Sequence, residues 1–327
     1  MYRYLLRRLL NYVVLLFIAV TIAYFLAGSS MEPKATFDWT NPNLNKAAVI
    51  AQLTDYNLNT DVPLLERYKI WFTGVFTSWD WGMTPKGEAV NTILATRIWV
   101  SVRLISIASF VGILGGVALG AWTATRQYKA SDRVVSIVSL IIISTPTIVI
   151  ATVLQILATR FNQGTGLNWF EFIGETGRMG TYPGAELVDR LQHLLLPTIS
   201  MSLGGIATYS RYQRNLMLDT LGADYVRTAR AKGLTKGKAM RRHALRTALV
   251  PMATYFAFVI AGLFTGAAIT EQVYSWHGMG IYSVTSITGQ DINGTVAVVA
   301  FSAACTFFGL MLSDVFTVAV DPRVRVS

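Results

Sequence analysis

Asp224–Pro251 reads DYVRTARAKGLTKGKAMRRHALRTALVP. Arg227, Arg230, Lys232, Lys236, Lys238, Arg241, Arg242 and Arg246 crowd this stretch, and only Asp219 and Asp224 oppose them nearby. Tyr225, Val226, Ala229 and Leu234 form a partial apolar stripe at helical spacing, which Gly233 and Gly237 interrupt. The pattern predicts two short helices broken near Gly233, lying on the cytoplasmic face of a membrane. Such an element can seat in a groove of a soluble partner. The plainer alternative is a positively charged loop that only fixes topology.

Working outward, the 327-residue chain is 53% hydrophobic and 14% charged, where a soluble domain carries about 25% charge. Long apolar runs account for the missing charge, so the class is an all-α polytopic membrane protein. Apolar runs at about 9–27, 99–123, 134–158, 191–217, 248–270 and 295–320 predict six transmembrane helices. The first follows Arg3, Arg7 and Arg8 and is longer than the roughly 7–15 residues of a signal-peptide core, so it reads as an uncleaved span with its N-terminus inside. Residues 29–96 alternate Pro33, Asp38, Asp55, Asp61 and Glu66 with Trp39, Trp71, Trp79 and Trp81. They are too polar to span and predict a partly helical extracytoplasmic insertion with its tryptophans at the membrane interface. The expected organisation is therefore a helix at 1–28, an insertion at 29–96, and a five-helix core at 97–327 containing the basic loop at 219–246.

Finer signals lie within the spans. Gly112, Gly116 and Gly120 recur every four residues, a spacing that lets another helix approach closely. Ser144-Thr145-Pro146-Thr147 sits in the middle of the third span, where proline predicts a kink, either structural or lining a pathway. In the last span Ser302, Thr306, Gly309 and Ser313 share one helical face, which offers a polar lining or an ordinary small-residue packing face. Most of the 28 Lys and Arg fall in the segments that this topology places inside, in agreement with the positive-inside rule. That distribution explains the net charge of +10 without nucleic acid, and leaves the lipid bilayer as the chain's environment.

The search for catalytic chemistry finds little. His193, His243 and His277 have no metal-ligand spacing among themselves and read as interfacial, so no metal is expected. Gly233-x-x-x-Gly237-Lys238-Ala239 lacks the spacing, the hydroxyl residue and the preceding strand of a phosphate-binding loop, so this chain should not hydrolyse ATP. Asp314 is the one acid inside an expected span and reads as a structural ion pair near the inner interface. Cys305 has no cysteine partner in the chain.

The order Y-V-R-T-A-R-A-K-G-L, then R-H-A-L-R and A-L-V-P, closely resembles the EAA loop of ABC importer permeases, in the form used by their peptide-import branch. Gly233 and Ala229 fall on that motif's glycine and one of its alanines. Arg227 stands where the general pattern has Glu, and Pro251 lies farther from the glycine, both as in the peptide-import branch. The E-x-V-Y-x-W-x-G-x-G run from Glu271 and the terminal Asp321-Pro322-Arg323 extend the resemblance along the chain. It implies six transmembrane helices of the importer permease type with both termini cytoplasmic, in the bacterial inner membrane. The chain would form half of a peptide pathway, with oligopeptides ahead of dipeptides; other solutes such as nickel or glutathione, or a membrane-embedded enzyme, are the alternatives. The implied partners are a second homologous permease, two ATP-binding subunits that carry the ATP and Mg, and an extracytoplasmic peptide-binding protein. No cofactor is expected on this chain. The loop to the ATPase would use Tyr225, Ala229, Arg230, Lys232, Gly233 and Leu234, and the pathway candidates are Pro146, Ser302, Thr306 and Ser313.

Overall fold

The structure, a computed structural model, describes residues 2–177 and 184–320. Its helices in chain order are α1 (Tyr2–Ser30), α2 (Lys46–Asp55), α3 (Leu64–Ser78), α4 (Val90–Ala124), α5 (Ala130–Ser144), α6 (Thr147–Thr165) and α7 (Ala185–Leu221). They continue with α8 (Asp224–Ala231), α9 (Lys236–Ala239), α10 (Leu245–Val273), α11 (Met279–Thr288) and α12 (Ile292–Val320). Among the described residues α1, α4 and α12 are each long and apolar enough to cross a membrane, as is the α5–α6 pair taken together. The chain divides into two compact units, one of 2–102 with 277–305, the other of 103–276 with the chain from Thr306.

In the first unit the core is aromatic. Tyr24 on α1 lies against Trp71 on α3, with ring centroids 4.9 Å apart, and Trp71 meets Trp81 edge-on at 5.9 Å. Trp71 and Trp81 are buried in this core, Trp39 is half-buried and Trp79 is exposed. A flat indole covers enough apolar surface to organise the small core of a short insertion. Arg67 is buried on α3 and donates to the Val62 and Gly28 carbonyls at 3.2 Å, which ties the insertion to the end of α1. A tight turn then carries the chain into α4, which starts at Val90, earlier than the hydropathy of its first turns indicates. Gly82 takes φ +88° in that turn, and Asn91 holds it by accepting from the Trp81 N–H at 2.9 Å and donating to the Trp79 carbonyl at 2.6 Å.

In the second unit α7 is the central helix, packed against α5, α6 and α10. Its approach to α4 runs along the glycine stripe. A Cβ on Gly112 would sit 3.7 Å from the Gly205 Cα, one on Gly116 would collide with Tyr209 Cβ, and one on Gly120 with the Ser210 carbonyl. The third span differs from a kinked helix: α5 ends at Ser144, α6 begins at Thr147, and the two are bent by 106°. Thr145 precedes proline and is driven to φ −93°, ψ 124°, which stops the helix outright. Its hydroxyl donates back to the Ile141 carbonyl at 2.7 Å, satisfying a group the break frees.

Candidate functional site

The basic stretch folds as a seated helix with a free outer face. α8 begins with Asp224 in its first turn and carries Arg230 in its last, each on the end of the helix dipole that suits its charge. Val226 and Ala229, three residues apart, are buried against Met217 of α7 and Ala121 and Ala124 of α4. Tyr225, Arg227, Arg230 and Lys232 are exposed.

The break falls at Gly233, with φ +93°. The Gly233 N–H donates to the Arg230 carbonyl at 2.9 Å and the Leu234 N–H to the Ala229 carbonyl at 3.2 Å, the paired bonds of a Schellman stop. Leu234 then packs against the cluster that holds Ala229, which is the hydrophobic contact such a stop favours. α9 follows and passes through a π turn at Met240–Ala244 into α10, with Ala239, Ala244 and Ala248 buried in the same cluster.

Of the loop residues named from sequence, Ala229 and Leu234 thus face inward and fix the seat, while Tyr225, Arg230, Lys232 and Gly233 face outward. Arg214 on α7 clamps the base of this region. It donates to Asp132 on α5 through Nε at 2.6 Å and Nη2 at 2.8 Å, and Asp132 also accepts from the Tyr128 N–H at 3.1 Å. Sequence reading passed over this pair because its members lie on different helices.

The pathway candidates are more dispersed. Pro146 is exposed at the α5–α6 break. On α12, Ser302 and Thr306 are half-buried and Gly309 and Ser313 buried, whereas Phe308, Leu312 and Val315 are exposed, so the small polar positions do share the sheltered face. The Ser302 hydroxyl donates to the Val298 carbonyl at 2.8 Å, one turn back. Asp314 is half-buried, and Asp321-Pro322-Arg323 lies outside the described residues.

His193 is enclosed by the chain itself. It is 3% exposed and is brought together with Asp189 and Glu171. A search for pairs of histidines misses this grouping; the signal available in sequence was Asp189 and His193 four apart on one helix.

These features define a multi-pass α-helical membrane protein with a preformed basic helix held at the base of its core. The chain belongs to the family of binding-protein-dependent transport system inner membrane components, which it matches over residues 116–326. It is similar to the oligopeptide transport system permease protein OppB of Mycobacterium tuberculosis (strain ATCC 25618 / H37Rv), at 46% identity covering 100% of both chains. It is also similar to the dipeptide transport system permease protein DppB of Lactococcus lactis subsp. cremoris, at 30% identity over 99% of this chain and 100% of that one. The oligopeptide transport system permease protein AppB of Bacillus subtilis is 28% identical over 98% of this chain.

Proposed function

We propose that this chain is one of two permease subunits of a peptide importer, with oligopeptides the preferred class. The relatives named for oligopeptide and dipeptide transport support the substrate class, the oligopeptide one at the higher identity. The second permease, two ATPases that bind ATP and Mg, and an extracytoplasmic peptide-binding protein complete the assembly. Both termini lie in the cytoplasm, and α8 docks in a groove of an ATPase through Tyr225, Arg230 and Lys232.

The observation that carries the reading is the geometry of α8. Its apolar side is anchored by Val226 and Ala229, its charged side is presented outward, and its end is shaped by a left-handed glycine. A loop that only fixed topology would need the charge and not the shape.

A side chain at Gly233 has room, since nothing lies within 4 Å of the position a Cβ would take, so the cost of substitution is conformational. Holding a β-branched residue at that φ costs on the order of 1–3 kcal/mol, enough to move α8 without unfolding the bundle. In complex reconstituted into liposomes, Gly233→Val should leave the chain inserted and peptide capture by the binding protein intact. It should abolish peptide uptake and lower the stimulation of ATP hydrolysis by loaded binding protein. Unchanged uptake with unchanged ATPase stimulation would reduce the loop to a topological anchor.

A further inference from the structure

The loop after α6 is held from several sides. Asn162 on α6 donates to the Phe170 carbonyl at 2.8 Å and accepts from its N–H at 3.2 Å. The Gly174 N–H donates to the Tyr274 carbonyl at 2.8 Å, and the Gly177 N–H to Asp189 Oδ2 at 2.9 Å. Glu171 is thereby brought to the first turns of α7, where Asp189 and His193 project from one helical face. One ligand atom from each of the three lies within 4.8 Å of the other two.

We propose that Glu171, Asp189 and His193 bind a divalent transition-metal ion of the zinc class. The imidazole is prepared for it. His193 Nδ1 lies 2.8 Å from the Asp189 carbonyl oxygen, which can only accept, so in the neutral ring the proton sits on Nδ1 and the lone pair on Nε2. A backbone carbonyl on the far nitrogen is the usual way a ligating histidine is oriented.

His193 Nε2 lies 3.7 Å from Glu171 Oε2. That is too long for a hydrogen bond and close to the ~3.4 Å between two ligands on one tetrahedral zinc.

Charge points the same way. The side chains of Asp189 and His193 are 6% and 3% exposed and that of Glu171 is 32% exposed. Among the described residues no Lys or Arg pairs with either carboxylate; Arg190 is engaged by Glu186 and Arg103 by Glu175. Among the described residues His193 is the basic group beside them, 3.7 Å from Glu171 Oε2 and 3.6 Å from Asp189 Oδ1, and it supplies at most one charge where a dication would neutralise both carboxylates.

One imidazole nitrogen with two carboxylate oxygens suits zinc, whereas magnesium prefers oxygen and retained water. Three protein ligands leave a fourth position, and Glu171 and His193 both line a cavity of about 520 Å³ with Asn162, Gln163 and Asn168, which gives a water room to occupy it. The backbone at Gly177 closes over the group: a Cβ there would lie 2.8 Å from both Glu171 Oε2 and His193 Cε1. Bound metal would staple this loop to α7.

The test uses the full-length chain in detergent, stripped with chelator and then equilibrated with zinc chloride in excess magnesium. The expected result is one zinc per chain by elemental analysis, an absorption spectrum with a single imidazole in an otherwise oxygen shell, and slower amide exchange over 166–177 on zinc addition. Loss of a group that merely orients a ligand costs about 10–100-fold in affinity. His193→Gln, which removes a ligand, should therefore weaken binding by at least about 100-fold.

Glu171→Gln changes the most exposed of the three and separates ligand loss from misfolding, while His243→Gln should bind as the wild type does. Failure of the wild type to hold stoichiometric zinc would overturn the site. So would zinc that survives Glu171→Gln and His193→Gln undiminished, and the three side chains would then be a hydrogen-bonding group only.

Discussion

Asp291 is buried and caps the start of α12, and the two circumstances pull its proton in opposite directions. Its Oδ1 accepts from the Gly294 N–H at 2.9 Å and its Oδ2 faces the Tyr282 hydroxyl at 3.4 Å, both of which favour the anion. Burial outweighs them and pushes the carboxyl up to about 6, with Glu88 adding in the same direction. Arg97 is the cation at hand, stacked 5.2 Å over the Tyr282 ring. A carboxyl raised in the folded state contributes stability that is fully present below about pH 4 and is lost as pH rises through 6. At about 1.4 kcal/mol per unit the loss is on the order of 3 kcal/mol.

Asp291→Asn keeps an oxygen for the cap and removes the charge. Its thermal midpoint in detergent should match the wild type at pH 4, exceed it at pH 8, and vary less between them. A wild type with the same pH profile as the variant would show that Asp291 ionises without penalty. Gly294 explains why the arrangement is tight, since a Cβ there would lie 2.5 Å from the Tyr282 hydroxyl and collide with the Asp291 carboxylate. None of this was legible in sequence, because an aspartate before a helix looks the same whether its cap is wet or dry. Gly233 was legible: a glycine ending a short amphipathic run commonly marks a left-handed stop.

Among the helices, the α5–α7 contact turns on Arg214 and Asp132. Asp132 is 3% exposed, so removing Arg214 strands a sheltered carboxylate. Breaking a buried pair from one side typically costs about 3–5 kcal/mol, whereas replacing both partners by apolar groups is nearly neutral. Arg214→Met should therefore lower the thermal midpoint sharply, Arg214→Lys less so through loss of the two-pronged geometry, and Arg214→Met with Asp132→Leu should recover most of the loss. Equal effects of the single and double replacements would show that the pair is worth nothing as a pair.

The α5–α6 break shows where reading helices from sequence stops. Thr145-Pro146 marks the position of an interruption, but the bend of 106° depends on the packing of α5 and α6 on α7. The glycine stripe on α4 was legible as a packing face because small residues at four-residue spacing have one geometric use, although its partner helix was not. The Glu171, Asp189 and His193 group was invisible because its first member arrives from a loop that only tertiary contacts fold back.

For the molecule as a whole, hydropathy and the placement of arginine and lysine were enough to assign the membrane class and the long helices. They were not enough for the division into units, because a compact unit is a matter of which distant segments touch. The proposed topology has a direct check. Single cysteines at Asp61, which is exposed in the insertion, and at Lys238, exposed beyond the Gly233 stop, in a Cys305→Ala background should react with an impermeant maleimide from opposite sides of the membrane. Labelling of both from the same side would refute it.

The tie between α1 and the insertion bears on how such chains can be recombined. Tyr24 stacks on Trp71, Gly28 leaves room that Leu64 fills, and Asn293 at the start of α12 donates to the Met83 carbonyl at 2.9 Å. A graft that imports residues 29–96 from a relative but keeps the host's first helix and 277–305 would mismatch these contacts on both sides. The smallest piece that can be exchanged intact is therefore discontinuous, joining two stretches 175 or so positions apart in the gene, 2–102 and 277–305. A single crossover cannot transplant it; exchanging it intact takes breakpoints near 102, 277 and 305 together.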